Sequence, residues 1–386
     1  MTIVYGDAMP SRQDDLPTVG IVGAGQLALM LYEASLRLGV PVVVLGAEAD
    51  PAVRAAPGSL VGDPRSGDDL RALAARCDVI TFDHELVDPG LLSRLEAEGV
   101  VLHPSAATMA VAVDKEAQHR LFTELGLPLP PTVVAADPEA AAEAARAFGP
   151  PVVVKTAHGG YDGRGVGLLD DRVEVEAWIG ERPGPFLVQP CLELEAEVAV
   201  QVVRSPDGAM ATYPVVRTVQ EDGMCAVVAV PSGLPAELED EARHIAERIA
   251  EALGVVGLLA VELFVVDGRL YVNEIAARPH NSGHVTQDSS LTSQFDNHLR
   301  AVCGLPLGAT DLVVPAAAMV NVVGHSRHDA PDLRTAPPDV AVHLYGKDPW
   351  PGRKLGHVTA VAATVEEATT RARRAADVLN GVEVNR

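Results

Sequence analysis

Cysteine is scarce in this 386-residue chain, and the four present (Cys77, Cys191, Cys225, Cys303) are scattered, with no Cys-x-x-Cys pair. That pattern offers no disulfide framework and no support for a cysteine-ligated metal, and it fits a reducing compartment. Aromatic residues make up only 4%, so the cores have to be built from Val, Leu, Ile and Ala. Positive charge is also short: 30 Lys+Arg stand against 53 Asp+Glu, a formal charge of −23. Duplex nucleic acid or an anionic membrane surface would be repelled, whereas a few local cations can still hold a phosphorylated small molecule. Apolar stretches such as residues 252–261 fall well short of the roughly 20 residues a membrane helix needs. The opening MTIVYGDAMPSRQDDLP has neither the basic start nor the apolar centre of a signal peptide, and residues 1–17 read as a flexible leader. A cytoplasmic protein is expected. What the chain does have is 48% hydrophobic and 22% charged residues, enough for the cores of about two or three domains.

The first third alternates short β-branched runs with helical stretches: strands at 19–22, 42–45, 79–82 and 100–102, helices at 26–38, 70–76 and 91–98. Such alternation implies βαβ units and a parallel sheet with helices on both faces. A helix over 114–125 follows, and Leu127-Pro128-Leu129-Pro130-Pro131 then breaks the chain. Strands at 132–135 and 152–155, an Ala-rich helix at 138–148 and a glycine-rich loop at 158–167 make a small α+β lobe. From Phe186 the strands lengthen, a helix spans 235–253, and a hairpin joins 258–265 to 269–275. Gly304-Leu305-Pro306-Leu307-Gly308 marks a further boundary before a strand-rich segment that closes with a helix at 365–379. The expected division is 18–113, 114–185, 186–308 and 309–386.

Several constellations suit chemistry. Gly23-Ala24-Gly25-Gln26-Leu27-Ala28 follows a strand and opens a helix, the shape of a dinucleotide fingerprint. A tight βα turn needs glycine in any case, and Leu45-Gly46-Ala47 offers no acid for a ribose at the end of the second strand. Lys155 ends an apolar strand and precedes Gly159-Gly160-Tyr161-Asp162-Gly163-Arg164-Gly165. Glycines allow close backbone approach and a lysine supplies a point charge, so the pair suits a phosphate cradle; a surface turn beside a solvated lysine explains it equally well. It is not a Walker A loop, since no Gly-Lys-Ser/Thr follows.

Glu262 and Glu274 sit in apolar runs on either side of Asp267-Gly268, and carboxylates so placed need partners. A two-residue turn would put them on opposite sheet faces. A three-residue loop would put them on one face, where they could bind Mg²⁺ together with nucleotide phosphates. Directly after come Arg278-Pro279-His280-Asn281-Ser282-Gly283-His284, a density of polar donors that packing does not require. Zinc on His280 and His284 lacks a third ligand, and an anion site beside a Mg-nucleotide suits the set better. Finally, Tyr345-Gly346-Lys347 and Arg353-Lys354-Leu355-Gly356-His357 gather cations in an acidic chain. They form either a phosphate-monoester pocket or a solvated basic turn.

In order along the chain, these motifs, with Val261-Glu262-Leu263-Phe264, Asn273-Glu274, Ser293-Gln294-Phe295 and Leu299-Arg300-Ala301, resemble the ATP-grasp superfamily. Within it they resemble the 5-(carboxyamino)imidazole ribonucleotide synthase family of purine biosynthesis. The resemblance covers nearly the whole chain after about residue 18. It implies an α/β, ATP-grasp fold: an N-terminal Rossmann-like parallel sheet, a small α+β lid lobe, a central α+β domain and a small, mainly β C-terminal segment. It also implies an ADP-forming ligase that uses ATP, Mg²⁺ (or Mn²⁺) and bicarbonate to carboxylate the exocyclic amine of aminoimidazole ribonucleotide through carboxyphosphate, and a homodimer.

By the same resemblance, Lys115, Lys155, Gly160, Tyr161, Asp162, Gly163, Gly165, Gln189, Leu192, Glu197, Gln220, Asn273 and Glu274 would contact ATP, and Glu262 and Glu274 would bind the metal. Arg278, His280 and Asn281, with Lys155, would be catalytic. Gln26, Asp83, Glu85, Tyr161, Asp162, Arg278, His280, Asn281 and Ser282 would face the ribonucleotide, with Lys347, Arg353 and Lys354 on its phosphate. The family usually has Glu where Asp83 stands and often Glu at Gln189. It usually carries an acidic residue, Asn and later His where this chain has Arg217, Thr218 and Gln220. Another ATP-grasp ligase, such as a formate-dependent glycinamide ribonucleotide transformylase, is the alternative enzyme. A noncatalytic nucleotide-binding module and a nicotinamide-dependent dehydrogenase are alternatives from other classes.

Overall fold

The computed structural model describes residues 16–158, 165–328 and 330–381. Most of the leader expected over 1–17 lies outside them, as do Gly160, Tyr161, Asp162 and Gly163 of the glycine-rich loop.

The strand Val19–Val22 is buried along its whole length, as a strand covered on both faces must be. It pairs in parallel with Val42–Gly46 on one side and Val79–Phe82 on the other. The fourth strand differs from expectation. Residues 100–102 contribute one parallel bridge, Ile80 to Leu102, and Leu60–Val61 completes the opposite edge beside Val42–Gly46. The helix Gln26–Leu38 turns Leu27, Leu31 and Ala34 inward to meet Phe295, Leu299 and Val302 of the helix Gln294–Val302. That packing fixes the N-terminal domain against the chain that follows Arg278–His284.

The small lobe is an antiparallel sheet ordered Val133–Ala135, Phe186–Pro190, Val152–Thr156, Val166–Leu169. Val152, Val154, Phe186 and Val188 pack on the helices Pro138–Phe148 and Arg172–Gly180. Alternation along each strand then places Lys155, Leu187 and Gln189 on the other face.

The central sheet runs Arg269–Ala276, Gly257–Val266, Ala196–Arg204, Val216–Glu221, Met224–Val230, with Met210–Thr212 beside Ala196–Arg204. It continues without a break into the C-terminal strands Ala316–Val323, Lys354–Ala362 and Ala341–Leu344. The helix Ala236–Leu253 covers one face through Ile245, Ala246 and Ile249 against Val198, Val200 and Val261. The final helix, Val365–Leu379, presents Ala368, Ala372 and Ala375 to Ala318, Val320 and Val358. Alanine here lets helix and sheet approach closely, consistent with the shortage of aromatic residues.

Candidate active site

The carboxylates come first, because their placement turns on one backbone detail. Val266 pairs with Arg269, so the hairpin loop has two residues, Asp267 and Gly268, both at positive φ (49° and 66°), as a type I′ turn requires. That turn alone would send Glu262 and Glu274 to opposite faces. The register instead shifts between Glu262 and Leu263: Leu263 faces Val272, whereas Glu262 faces Glu274. Asn273 is the extra residue of a β-bulge, which re-aims side chains at the cost of a ladder position. Same-face placement therefore comes from the bulge and not from a three-residue loop.

Glu197 pairs with Phe264, two positions from Glu262, and so shares this face. Lys155 reaches across from the small lobe to donate to Asn273 Oδ1 at 2.7 Å, with its ammonium 6.0 Å from the Phe264 ring centre. Lys115, at the start of the helix Lys115–Glu124, donates to Glu274. Asn273 Nδ2 donates to Glu262 Oε2 at 3.4 Å, and His280 Nε2 lies 3.5 Å from Glu262 Oε1.

The charges are imperfectly balanced. Burial pushes Glu262 up to about 8, with Glu274 and Glu197 adding repulsion. Burial also favours the neutral form of Glu274, but Lys115 and Lys155 outweigh it and hold that carboxyl below its ordinary value. Glu197 is raised by burial, against a hydrogen bond from Gln220 Nε2 at 3.1 Å. Burial, then the neighbouring Lys115 charge, brings Lys155 down to about 8. Glu262, pushed toward its neutral form by burial and then by the charges of Glu274 and Glu197, faces Glu274, and this pair of hard oxygen donors suits a divalent cation.

Beside this face, a cleft is lined by Phe122, Leu129, Leu187 and Val272, with Lys115, Lys155 and Asn273 also on its wall. Gln189, buried, lines it too and donates to Thr132 Oγ1 at 2.9 Å. Apolar walls with cations beside them suit a heterocycle bearing phosphates. The wall residues Phe122 and Thr132 lie outside every motif and Leu129 lies in the proline-rich break, and no sequence signal marked any of them as part of a cleft. Leu192 is half-buried just beyond Phe186–Pro190, and the Gly165 carbonyl accepts from Thr156 N at 2.9 Å.

A second group of residues meets where the N-terminal sheet, the loop after Arg269–Ala276 and the turn at 345–354 come together. Asp83 does not hang free at its strand end: its Oδ2 accepts from Gly25 N at 2.6 Å and from Ala28 N at 3.4 Å. The helix N-terminus of the Gly23-Ala24-Gly25 motif thus meets an anion from its own chain, where a dinucleotide would place a phosphate. Gly23 has φ +92°, and a Cβ there would stand 2.4 Å from Asp83 Oδ1. Burial raises Asp83 above its ordinary value, against His84 and these backbone donors.

Glu85 and Arg278 form an ion pair at 2.5 Å, and Lys347 donates to Gln26. Lys354 is buried, whereas Arg353 is exposed and donates to the Asp348 carbonyl at 3.2 Å. Ser282 is buried beneath His280, its Oγ 2.8 Å from His280 Nδ1 and accepting from Gln201 Nε2 at 2.7 Å. Asn281 meets Asn321, and Tyr345 Oη lies 2.7 Å from His357 Nδ1. Burial and neighbouring cations hold His284 well below the ordinary imidazole value; His357, likewise buried, is lowered too. The site residues that the structure describes thus fall into two adjoining groups joined by the His280–Glu262 contact. Gln201, Gln294 and Asn321 are parts of the second that sequence reasoning did not assign.

Three family models match in succession: a ribonucleotide synthetase preATP-grasp domain over 16–113, an ATP-grasp domain over 120–295 and a phosphoribosylaminoimidazole carboxylase C-terminal domain over 317–371. N5-carboxyaminoimidazole ribonucleotide synthase of Mycobacterium tuberculosis is 42% identical over 377 residues, 94% of this chain and 88% of that protein. The synthase of Synechococcus elongatus is 40% identical over 95% of this chain and 94% of its own length. Among solved structures, an ADP complex of an N5-carboxyaminoimidazole ribonucleotide synthetase superposes with a TM-score of 0.88 at 32% identity, covering 95% of this chain and 98% of that one. The Aspergillus clavatus N5-carboxyaminoimidazole synthase, bound to ADP and 5-aminoimidazole ribonucleotide, superposes at 0.86 and 30% identity over 95% and 99%.

Proposed function

The chain belongs to the N5-carboxyaminoimidazole ribonucleotide synthase family of ATP-grasp ligases, and from that premise we propose how its residues divide the work. It is an ADP-forming ligase that makes a C–N bond in purine biosynthesis. A bicarbonate oxygen attacks the γ-phosphorus of ATP, giving carboxyphosphate and ADP. The exocyclic amine of aminoimidazole ribonucleotide then attacks the carboxyl carbon, or CO₂ released from it. The amine loses a proton, and phosphate leaves.

Lys115 and Lys155 neutralise the phosphoryl oxygens while the apolar cleft takes the base. Glu262 and Glu274, with Asn273 beside them, would hold Mg²⁺ or Mn²⁺. Such an ion supplies charge neutralisation and orientation of the nucleotide phosphates. Gln189, Leu192, Glu197 and Gln220 serve the nucleoside. Arg278, His280 and Asn281 orient bicarbonate, then carboxyphosphate. Gln26, Asp83, Glu85 and Ser282 shape the ribonucleotide pocket, and Lys347, Arg353 and Lys354 meet its phosphate. Tyr161 and Asp162, with Gly160, Gly163 and Gly165, belong to the loop assigned to cover both substrates and exclude water. A homodimer and a cytoplasmic location complete the reading.

The observation that carries it is the contact between the two groups, His280 beside Glu262. It supports the reading because the face assigned to phosphoryl transfer then adjoins the junction that gathers Arg278, Lys347 and Lys354. ADP release is measured with Mg-ATP and bicarbonate, with and without aminoimidazole ribonucleotide. Strong stimulation by the ribonucleotide is expected. Equal slow rates, with stimulation instead by glycinamide ribonucleotide and formate, would move the chain to the alternative ligase.

A further inference from the structure

The loop that carries His280 and Asn281 is gripped by two buried carboxamides. Gln294, fully buried at the start of the helix Gln294–Val302, accepts from His280 N through Oε1 at 2.9 Å and donates to the His280 carbonyl through Nε2 at 2.8 Å. The same Nε2 lies 2.9 Å from His284 Nδ1. The fit is close enough that a Cβ on Gly283 would stand 2.3 Å from Gln294 Oε1. Asn321, in the C-terminal strand Ala316–Val323, exchanges two hydrogen bonds with Asn281. Asn281 Nδ2 donates to Asn321 Oδ1 at 3.1 Å, and Asn321 Nδ2 donates to Asn281 Oδ1 at 2.8 Å. Asn321 Nδ2 also donates to the Cys225 carbonyl at 2.8 Å, which ties it to the neighbouring strand.

We propose that Gln294 and Asn321 are positioning residues for the carboxyl-transfer step: one clamps the backbone of His280, and the other fixes the side-chain amide of Asn281. This rests on the assignment of His280 and Asn281 to bicarbonate and carboxyphosphate. A carboxamide has two N–H groups and two acceptor lone pairs. Pairing with Asn321 therefore leaves Asn281 one N–H and one lone pair for a substrate, aimed in a direction that Asn321 sets. Buried amides with several partners each resist displacement, because any shift leaves a polar group unpaired. Asn321 lies outside both ATP-grasp lobes, so the C-terminal strands contribute to the geometry of the reacting centre as well as to the sheet.

The test uses the full-length protein with Asn321→Leu, Asn321→Asp and Gln294→Met. Initial rates are measured against ATP, bicarbonate and the ribonucleotide, together with the ratio of ADP formed to ribonucleotide consumed. Removing such a supporting partner costs roughly 10- to 100-fold in activity. For Asn321→Leu we expect a loss of that size in kcat/KM for bicarbonate, KM for ATP within about twofold, and an ADP:product ratio rising above one as misplaced carboxyphosphate is hydrolysed. Asn321→Asp keeps an acceptor for Asn281 Nδ2 but loses both donated bonds, and should fall in between. Should Gln294→Met fail to fold, the two Asn321 variants still decide the matter. Unchanged bicarbonate kinetics with a ratio of one would overturn the proposal, as would KM values for all three substrates rising together in step with lost stability. Absence of ribonucleotide-stimulated ADP release in the unmodified protein would instead count against the proposed function itself.

Discussion

Acid should loosen the seam between the N-terminal and central domains through one histidine. His298 is fully buried; its Nδ1 accepts from Leu258 N at 3.0 Å, and its Nε2 lies 2.7 Å from Thr81 Oγ1. It thereby joins the strand Val79–Phe82 to the strand Gly257–Val266 from the helix Gln294–Val302. Burial, with a smaller push from His103, takes it down to about 3. The folded state therefore holds neutral imidazole, whereas the unfolded chain protonates near 6.5. The stabilisation is complete above pH 6.5 and is lost as pH falls from there toward 3. At pH 5, 1.5 units below the unfolded value, the loss is about 2 kcal/mol. Glutamine can accept from Leu258 N and donate to Thr81 without titrating. Urea unfolding followed by far-ultraviolet circular dichroism at pH 7.5 and pH 5.0 should show the unmodified protein losing about 2 kcal/mol more than His298→Gln. His284 and His357 titrate in both proteins and cancel. Equal pH dependence in the two would refute the argument.

Two further outcomes are expected. Glu274→Ala should cut ADP release by at least about 100-fold with an unchanged circular dichroism spectrum; full turnover in that variant would remove Glu274 from the phosphoryl-transfer face. Gly23→Ala should cost about 1–2 kcal/mol from the left-handed backbone alone and should raise KM for the ribonucleotide, because the new methyl displaces Asp83. A rise in KM for ATP alone, measured in the same steady-state assay, would contradict that placement of Asp83.

Much of the fold was legible because its signals are local. The helices Pro138–Phe148 and Val365–Leu379 end where the sequence reading put them, with Asp137 and Thr364 as side-chain caps and Gly149 closing the first. Lys155 at a strand end and two glutamates inside apolar runs also announced themselves. What stayed hidden depends on long-range placement. Asp83 meets the helix at Gly25 across 58 residues, and nothing in either segment says so. The bulge at Asn273 involves no glycine and no proline, so the turn alone was a poor guide to which face each glutamate takes. Gln201 and Asn321 do carry a signal in the sequence. Each is a single amide within a run of Val, Ala and Met, and the reasoning that a buried polar group needs a partner, applied to Glu262, holds equally for them.

The bulge also sets where this hairpin can accept changes of length. Its tip, Asp267-Gly268, ends five residues before Asn273, the bulge residue that accepts from Lys155, and any replacement loop that keeps Val266 opposite Arg269 leaves the phase of both strands intact. A single-residue insertion or deletion between Leu270 and Glu274 acts differently, because it reverses the inward and outward alternation of everything beyond it. The tip is thus open to exchange, as a site for grafted sequence or a reporter, while from Leu270 to Glu274 the chain length is fixed to the single residue.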